Sequence, residues 1–285
     1  MSDSVTLADG DLVVGVGRRG GALLSVCYRG LPVLVPAGGP AADMACFPMV
    51  PFGNRLEVNR FQLGARQWQL QPNTSDPLYL HGDGWLGLWD FEFSQAGAAT
   101  LCFARTADAA SPYAYRARQH ISLAGNRLSI GLSVQNCGPD TLPFGLGLHP
   151  FFARTPRTTL LFAAQRCWTE RPGHLPGEPL PIAAPLDFSV ARRLPSMWIN
   201  NAFDGWQGTA AIHWPEWQLS ATLAADPPSG CLMLFQPTDR SDIICLEPMT
   251  HLPNGHHRPD LGRLTLLAPS ESLSTRLDID FATAR

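Results

Sequence analysis

Sustained helical periodicity is scarce in this chain, and that constrains its fold more than any other feature. Its apolar and alternating runs are short and are punctuated by Gly, Pro, Asn and Asp, as in Gly21–Tyr28, Gln119–Leu123, Arg127–Val134 and Trp217–Leu223. The second and third have period-2 character and are joined by Ala-Gly-Asn, the pattern of a β-hairpin. Runs of this length and spacing predict an all-β sandwich or barrel. The 26 prolines fit sheet edges and loops better than helices. A chain of 285 residues buries roughly 75% of its unfolded surface, so no disulfide or structural metal is needed to build a core. That length allows one large β domain or two ordinary ones. The best place for a linker is residues 171–186, RPGHLPGEPLPIAAPL. Chemically distinctive stretches fall on both sides of it, so it is read as a long surface loop within one domain spanning residues 1–285.

Composition excludes several chemistries. All 21 basic side chains are Arg, and without Lys a Schiff base, a PLP site and a lysine-bearing phosphate loop are impossible. Arg-only usage also hints at a GC-rich bacterial genome. The net charge of -3 comes without any charge block, which offers nothing to nucleic acid or to an anionic membrane. The seven cysteines are scattered without a CxxC pair, as expected for reduced, small hydrophobes. The N-terminus, MSDSVTLADG, is no secretory signal, and no apolar run reaches membrane-spanning length. A soluble cytoplasmic protein is the expectation; oligomeric state has no signature.

Two motifs are decoys. Gly15-Val-Gly-Arg-Arg-Gly20 matches GxGxxG, but the residues after it reach another glycine at Gly30 after about two helical turns. A dinucleotide site needs a longer helix there, so a glycine-rich β-turn is the better reading. Gly82-Asp-Gly-Trp-Leu-Gly87 fails in the same way. The eight histidines include no HExxH and no His-x-His, so no metal is assigned. His256 and His257 would face opposite sides of a strand, and His120, His174 and His213 read as ordinary surface or half-buried positions.

Five stretches set polar groups among apolar or glycine-rich neighbours. They are Pro51-Phe-Gly-Asn54-Arg55-Leu, Leu80-His81-Gly82-Asp-Gly-Trp85, Gly145-Leu-Gly-Leu-His149-Pro-Phe-Phe152, Trp198-Ile-Asn200-Asn201-Ala-Phe-Asp204-Gly-Trp206 and Leu246-Glu247-Pro248-Met-Thr250. Singly, each has an ordinary structural explanation. As an ordered set, spaced along most of the chain, they resemble the galactose mutarotase (aldose 1-epimerase) family. The resemblance implies that family's large antiparallel β-sandwich, in agreement with the independent β reading.

It also implies roles. Glu247 matches the family's general base, which takes the anomeric hydroxyl proton, and His149 the general acid, which protonates the ring oxygen. Arg55 and His81 match sugar-binding positions, and Asn54 stands beside the arginine. Asn200 falls where many members carry a sugar-binding Asp, while Asp204 lies four residues out of register. An amide still exchanges hydrogen bonds with hydroxyls but lacks the charge. Trp85 and Trp206 are candidates to stack on the sugar ring, with core packing as the rival reading.

Ring opening of a cyclic aldose needs one base and one acid at the acetal, and neither a redox cofactor nor a metal; no cofactor is expected. Each positioned proton-transfer group is typically worth about 10²–10⁴ in rate. Glu247 and His149 are each followed by proline, which biases them towards extended backbone. The expected activity is anomer interconversion of a free or modified monosaccharide. The alternatives are a non-catalytic sugar-binding or sugar-sensing protein on the same fold, and a metal-dependent β-fold isomerase.

Overall fold

A computed structural model of the chain describes residues 2–227 and 229–284. Two large antiparallel sheets dominate, and among the described residues the only helical pieces are short 3-10 turns. The larger sheet has eleven strands. From one edge its order runs Ser4–Asp9, Leu12–Gly17, Leu23–Tyr28, Leu31–Leu34, Gly147–Ala153, Ile243–Met249, Cys231–Gln236, Ile199–Asp204, Arg166–Arg171 and Leu175–Leu180. Cys46–Met49 pairs beside Gly147–Ala153 off that path. The second sheet has nine strands and holds the predicted hairpin, Tyr115–Ala124 with Arg127–Asn136, in continuous register from Tyr115↔Asn136 to Ala124↔Arg127. Gly125 in its two-residue turn takes a φ of +61°, open to glycine without a Cβ penalty. No helix among the described residues is long and apolar enough to cross a membrane.

Burial separates the strands into two kinds. Along Tyr115–Ala124 buried and more exposed residues alternate one by one, as a strand with one face on the core must. Along Gly147–Ala153 and Ile243–Met249 every residue is buried. These central strands are covered on both faces, which is why their sequences are almost unbroken apolar runs. Period 2 sorts their side chains. Leu148, Phe152, Leu232, Leu234, Ile244 and Leu246 join the main core, which also takes in residues of the second sheet. Phe151, Met233, Cys245 and Met249 point the other way, into a separate apolar cluster with Phe47, Trp85 and Trp168. His149 and Glu247 share that second face.

Both decoy motifs resolve as predicted. Gly15–Gly20 covers the end of one strand and the turn to Leu23–Tyr28. Gly82 takes a φ of +74°, and a Cβ there would lie 2.0 Å from the Val50 carbonyl oxygen, so the loop carrying His81 requires glycine. The proline-rich segment is more ordered than a loop: Leu175–Leu180 pairs with Arg166–Arg171 at the edge of the large sheet. Pro176 and Pro179 are accommodated because an edge strand leaves one row of backbone donors unused. His256 and His257 lie in a 3-10 turn, Gly255–His257, rather than on a strand. His256 is buried against the Tyr113 hydroxyl, and His257 is exposed.

Leu246 is fully buried between the two sheets. Leu246→Ala is expected to lower unfolding free energy by about 2–5 kcal/mol, the usual range for a core leucine. Urea denaturation followed by tryptophan fluorescence would measure it.

Candidate active site

On the second face of the large sheet lies a cavity of about 220 Å³. It is smaller than the ~300–1,000 Å³ typical of drug-sized ligands, so its scale is that of a single small molecule. Its floor is the pair His149 and Glu247, with Nε2 and Oε1 3.2 Å apart. The register on either side, Gly147↔Met249 and Phe151↔Cys245, sets these residues opposite each other on adjacent strands. Between those pairs the ladder is interrupted. Pro150 and Pro248 lie in the gap, and neither has a backbone N–H to contribute. The two prolines noted in the sequence thus flank the point where His149 and Glu247 meet.

Burial governs the electrostatics of the floor. Glu247 is 2% exposed, and desolvation pushes its carboxyl up to about 8, partly opposed by the Arg55 charge. Desolvation pushes His149 down to about 3. His149 Nδ1 is buried without a hydrogen-bond partner, so the imidazolium has nowhere to place its second N–H. Both shifts disfavour charge, so burial favours the pair with a single proton shared between carboxyl and imidazole. Because the groups touch, these limits belong to the pair rather than to either residue. Phe47 and Phe151 pack on the imidazole at ring distances of 4.6 and 4.5 Å, which fixes its orientation.

The walls carry hydrogen-bonding groups. His81 is buried, and its Nδ1 accepts the Asn54 backbone N–H at 3.1 Å. Burial and the nearby His149 hold it well below the usual imidazole range, so His81 is neutral with its proton on Nε2 as a donor. Asn54 Oδ1 accepts the Arg55 backbone N–H, leaving the Asn54 amide nitrogen as its free donor. Asn54 and His81 both adopt left-handed backbone, with φ of 61° and 57°, the kind of local strain that collects at functional sites. The Arg55 guanidinium is held by Asp76, with Nε at 2.9 Å and Nη2 at 2.8 Å.

Six of the eight residues singled out in the sequence therefore line one cavity: Asn54, Arg55, His81, His149, Asn200 and Glu247. The two tryptophans do not. Trp206 lies in the main core, 3% exposed, with its indole N–H donated to the Thr209 carbonyl. Trp85 stacks on Phe47 and donates to the Leu80 and Gly82 carbonyls, bracing the wall from behind.

Sequence reasoning missed Phe151, His174, Trp198 and Phe235 in the lining. Trp198 lies immediately before the strand Ile199–Asp204, two residues from Asn200, a spacing that period 2 would place on the same side. His174, read as an ordinary position, is brought in by the turn joining Arg166–Arg171 to Leu175–Leu180. Glu170 was also missed, and it binds Asn200, Trp198 and His174 together.

Donor atoms of His149, Cys245 and Glu247 lie within 4.8 Å of one another, a set able to contact a soft cation. Burial raises the Cys245 thiol well above its ordinary range, so it stays a neutral neighbour of the pair.

A sequence profile of the family described as Aldose 1-epimerase matches residues 3–280. The chain belongs to the aldose 1-epimerase family. A relative in Escherichia coli K12, the uncharacterized protein YphB, is 40% identical over 284 residues, covering 96% of this chain and 97% of YphB. A crystal structure of an E. coli K12 protein described as a candidate aldose 1-epimerase superposes with a TM-score of 0.94 at 38% identity, covering 98% and 99% of the two chains. The GalM/aldose epimerase homologue of C. elegans shares the fold at a TM-score of 0.84 and 13% identity over the full length of both. The isomerase family and its galactose mutarotase-like fold are thus assigned, with a sugar as the family's substrate class.

Glu247→Gln tests the electrostatic reading of the floor. A carboxyl raised above its unfolded value of 4.5 stabilises the fold below that pH and loses that contribution as pH rises through about 8. The melting temperature of Glu247→Gln minus that of wild type is therefore expected to increase between pH 5 and pH 9. A pH-independent difference in calorimetric scans would contradict it.

Proposed function

We propose that the protein interconverts the α and β anomers of a free, uncharged aldose, with Glu247 as general base and His149 as general acid. The observation that carries this is the direct 3.2 Å contact between a buried carboxylate and a buried imidazole on the cavity floor. The anomeric hydroxyl and the ring oxygen are bonded to the same carbon, so a base for one and an acid for the other must sit side by side. Adjacent strands supply that arrangement.

The reaction draws on the one proton the pair holds. In its reactive form Glu247 is ionised and His149 carries the proton. Glu247 takes the anomeric O–H proton, His149 gives its proton to the ring oxygen, and the C1–ring oxygen bond opens to the free aldehyde. Rotation about C1–C2 and the reverse transfers close the other anomer. Burial suits both partners, because it makes the carboxylate a stronger base and the imidazolium a stronger acid. His81, Asn54, Arg55 and Asn200 hold hydroxyls, and Trp198 and Phe235 wall the apolar face of the ring.

Substrate charge follows from Arg55. Among the described residues it is the only guanidinium lining the cavity, and Asp76 already neutralises it. A phosphorylated or sulfonated sugar would lack a free cation among these residues, which favours a neutral aldose over the modified sugars that an arginine-rich sequence brings to mind. A purely sugar-binding role is disfavoured by the tuned pair, since binding hydroxyls does not require a carboxylate buried against an imidazole whose Nδ1 has no partner.

Polarimetry or exchange NMR on a panel of pure anomers tests the reading. Glu247→Gln is expected to lower kcat by about 10²–10⁴, while an anomerisation rate equal to wild type would sink it. Activity should survive exhaustive dialysis against EDTA. After subtraction of the uncatalysed rate, kcat/KM should be level between limbs near the pair's values of about 3 and about 8. Above the upper limb the pair has lost its only proton, and the rate should fall about tenfold per pH unit. A profile still rising beyond pH 9 would contradict the shared-proton scheme.

A further inference from the structure

Asn200 lines the cavity at the position where the family resemblance expects an aspartate, and its amide is not free to turn. Asn200 Nδ2 lies 2.6 Å from Glu170 Oε1. An ionised carboxylate only accepts hydrogen bonds, so it fixes nitrogen on its own side and leaves Oδ1 as the other end of the amide. Among the described residues no protein donor meets that oxygen. The other Glu170 oxygen accepts the Trp198 indole N–H at 2.6 Å, and His174 Nδ1 lies 2.6 Å from Oε1. Burial opposes ionisation of Glu170, but the contacts with Asn200, His174 and Trp198 outweigh it and hold the carboxyl below its ordinary value.

We propose that Glu170 is the positioning residue of the sugar site: it orients the Asn200 amide so that its carbonyl oxygen accepts a hydrogen bond from a sugar hydroxyl. The charge that an aspartate would place in the cavity has in effect moved one strand outwards, to Arg166–Arg171. Its place beside the sugar is taken by a neutral acceptor whose direction the half-buried Glu170 charge dictates. Glu170 also clamps Trp198 and His174, two further lining residues, so one carboxylate sets three groups of that wall. This rests on the proposed sugar-binding role of the cavity but not on turnover.

The arrangement predicts a compensated swap. Asn200→Asp puts two carboxylates within hydrogen-bond distance, and their repulsion should turn the new side chain away and weaken sugar binding. Adding Glu170→Gln supplies an amide that can donate to the new carboxylate and still accept from Trp198. Glu170→Gln alone leaves a single acceptor oxygen for the Asn200 and Trp198 donors. The expected result is a rise in KM of roughly tenfold, the scale of one hydrogen bond to a charged group, for each single variant with kcat little changed. The double variant should recover to within about threefold of wild type. Equal melting temperatures would show that the fold is intact.

Calorimetric titration with 1,5-anhydrohexitols of the galacto and gluco series, which have no anomeric hydroxyl, reads the same pair without turnover. A tenfold loss in each single variant with recovery in the double would support the proposal. It is overturned if Glu170→Gln binds within twofold of wild type, or if the double variant is no better than Asn200→Asp. Wild type that binds these probes but never interconverts anomers would overturn the catalytic reading alone and leave the binding comparison decisive. Wild type that binds neither probe would overturn this proposal.

Discussion

The site depends on a sheet that is buried on both faces. A sandwich needs only one apolar face per sheet, and most of the nine-stranded sheet obeys that economy, alternating buried and exposed residues. The central strands of the larger sheet do not. Their outer face is roofed by Phe47, Met49, Trp85, Phe151 and Met249, so whatever points that way is removed from water. A carboxylate and an imidazole placed there are shifted by desolvation in opposite directions, one up and one down. An exposed pair on a solvated face would keep ordinary values, and neither partner would be tuned. Fold and proposed chemistry are therefore linked through one physical term, the desolvation of a sheet face.

The ladder is part of the same design. His149 and Glu247 sit opposite each other, where the pairing between their strands lapses and Pro150 and Pro248 leave no N–H to give. In a central strand a proline normally argues against the strand itself. Here both prolines lie beside polar residues that need a fixed extended backbone, and the neighbouring strands make up the pairing. Leu232↔Pro248 and Pro150↔Cys46 continue the sheet on the outer sides of the gap.

How much of this was legible follows from what sequence encodes locally. Short runs and turn residues carried the all-β class and the Tyr115–Asn136 hairpin, because period 2 and the turn are local properties. Apolar flanks also marked Glu247 and His149, since a charged residue inside such a run is unusual at any position. The tryptophans misled because an indole suits a core and a sugar equally, and only the backbone carbonyls beside Trp85 and Trp206 decide between them. Asp76 and Glu170 escaped notice because nothing local distinguishes a carboxylate in a Ser-Asp-Pro or Thr-Glu-Arg setting. Their partners are 21 and 30 residues away, and the pairing exists only once the strands are in register. His174 was obscured by its proline-rich surroundings, which read as loop although the sheet edge tolerates them.

The two missed carboxylates clarify the charge balance of the cavity. Asp76 offsets the lining guanidinium, and Glu170 lies behind the amide that replaces a lining acid. The walls are therefore polar without carrying net charge toward the occupant, and the two groups most shifted by burial lie on the floor. That division has a consequence for the shared proton. An unpaired Arg55 would stabilise ionised Glu247 and pull its pKa back toward that of an exposed acid, weakening it as a base. With Asp76 engaged, the arginine can hold a hydroxyl while exerting only a partial opposing effect on the carboxyl. In the proposed reaction neutral walls thus serve two ends at once: they match an uncharged ring, and they preserve the desolvation that tunes Glu247 and His149.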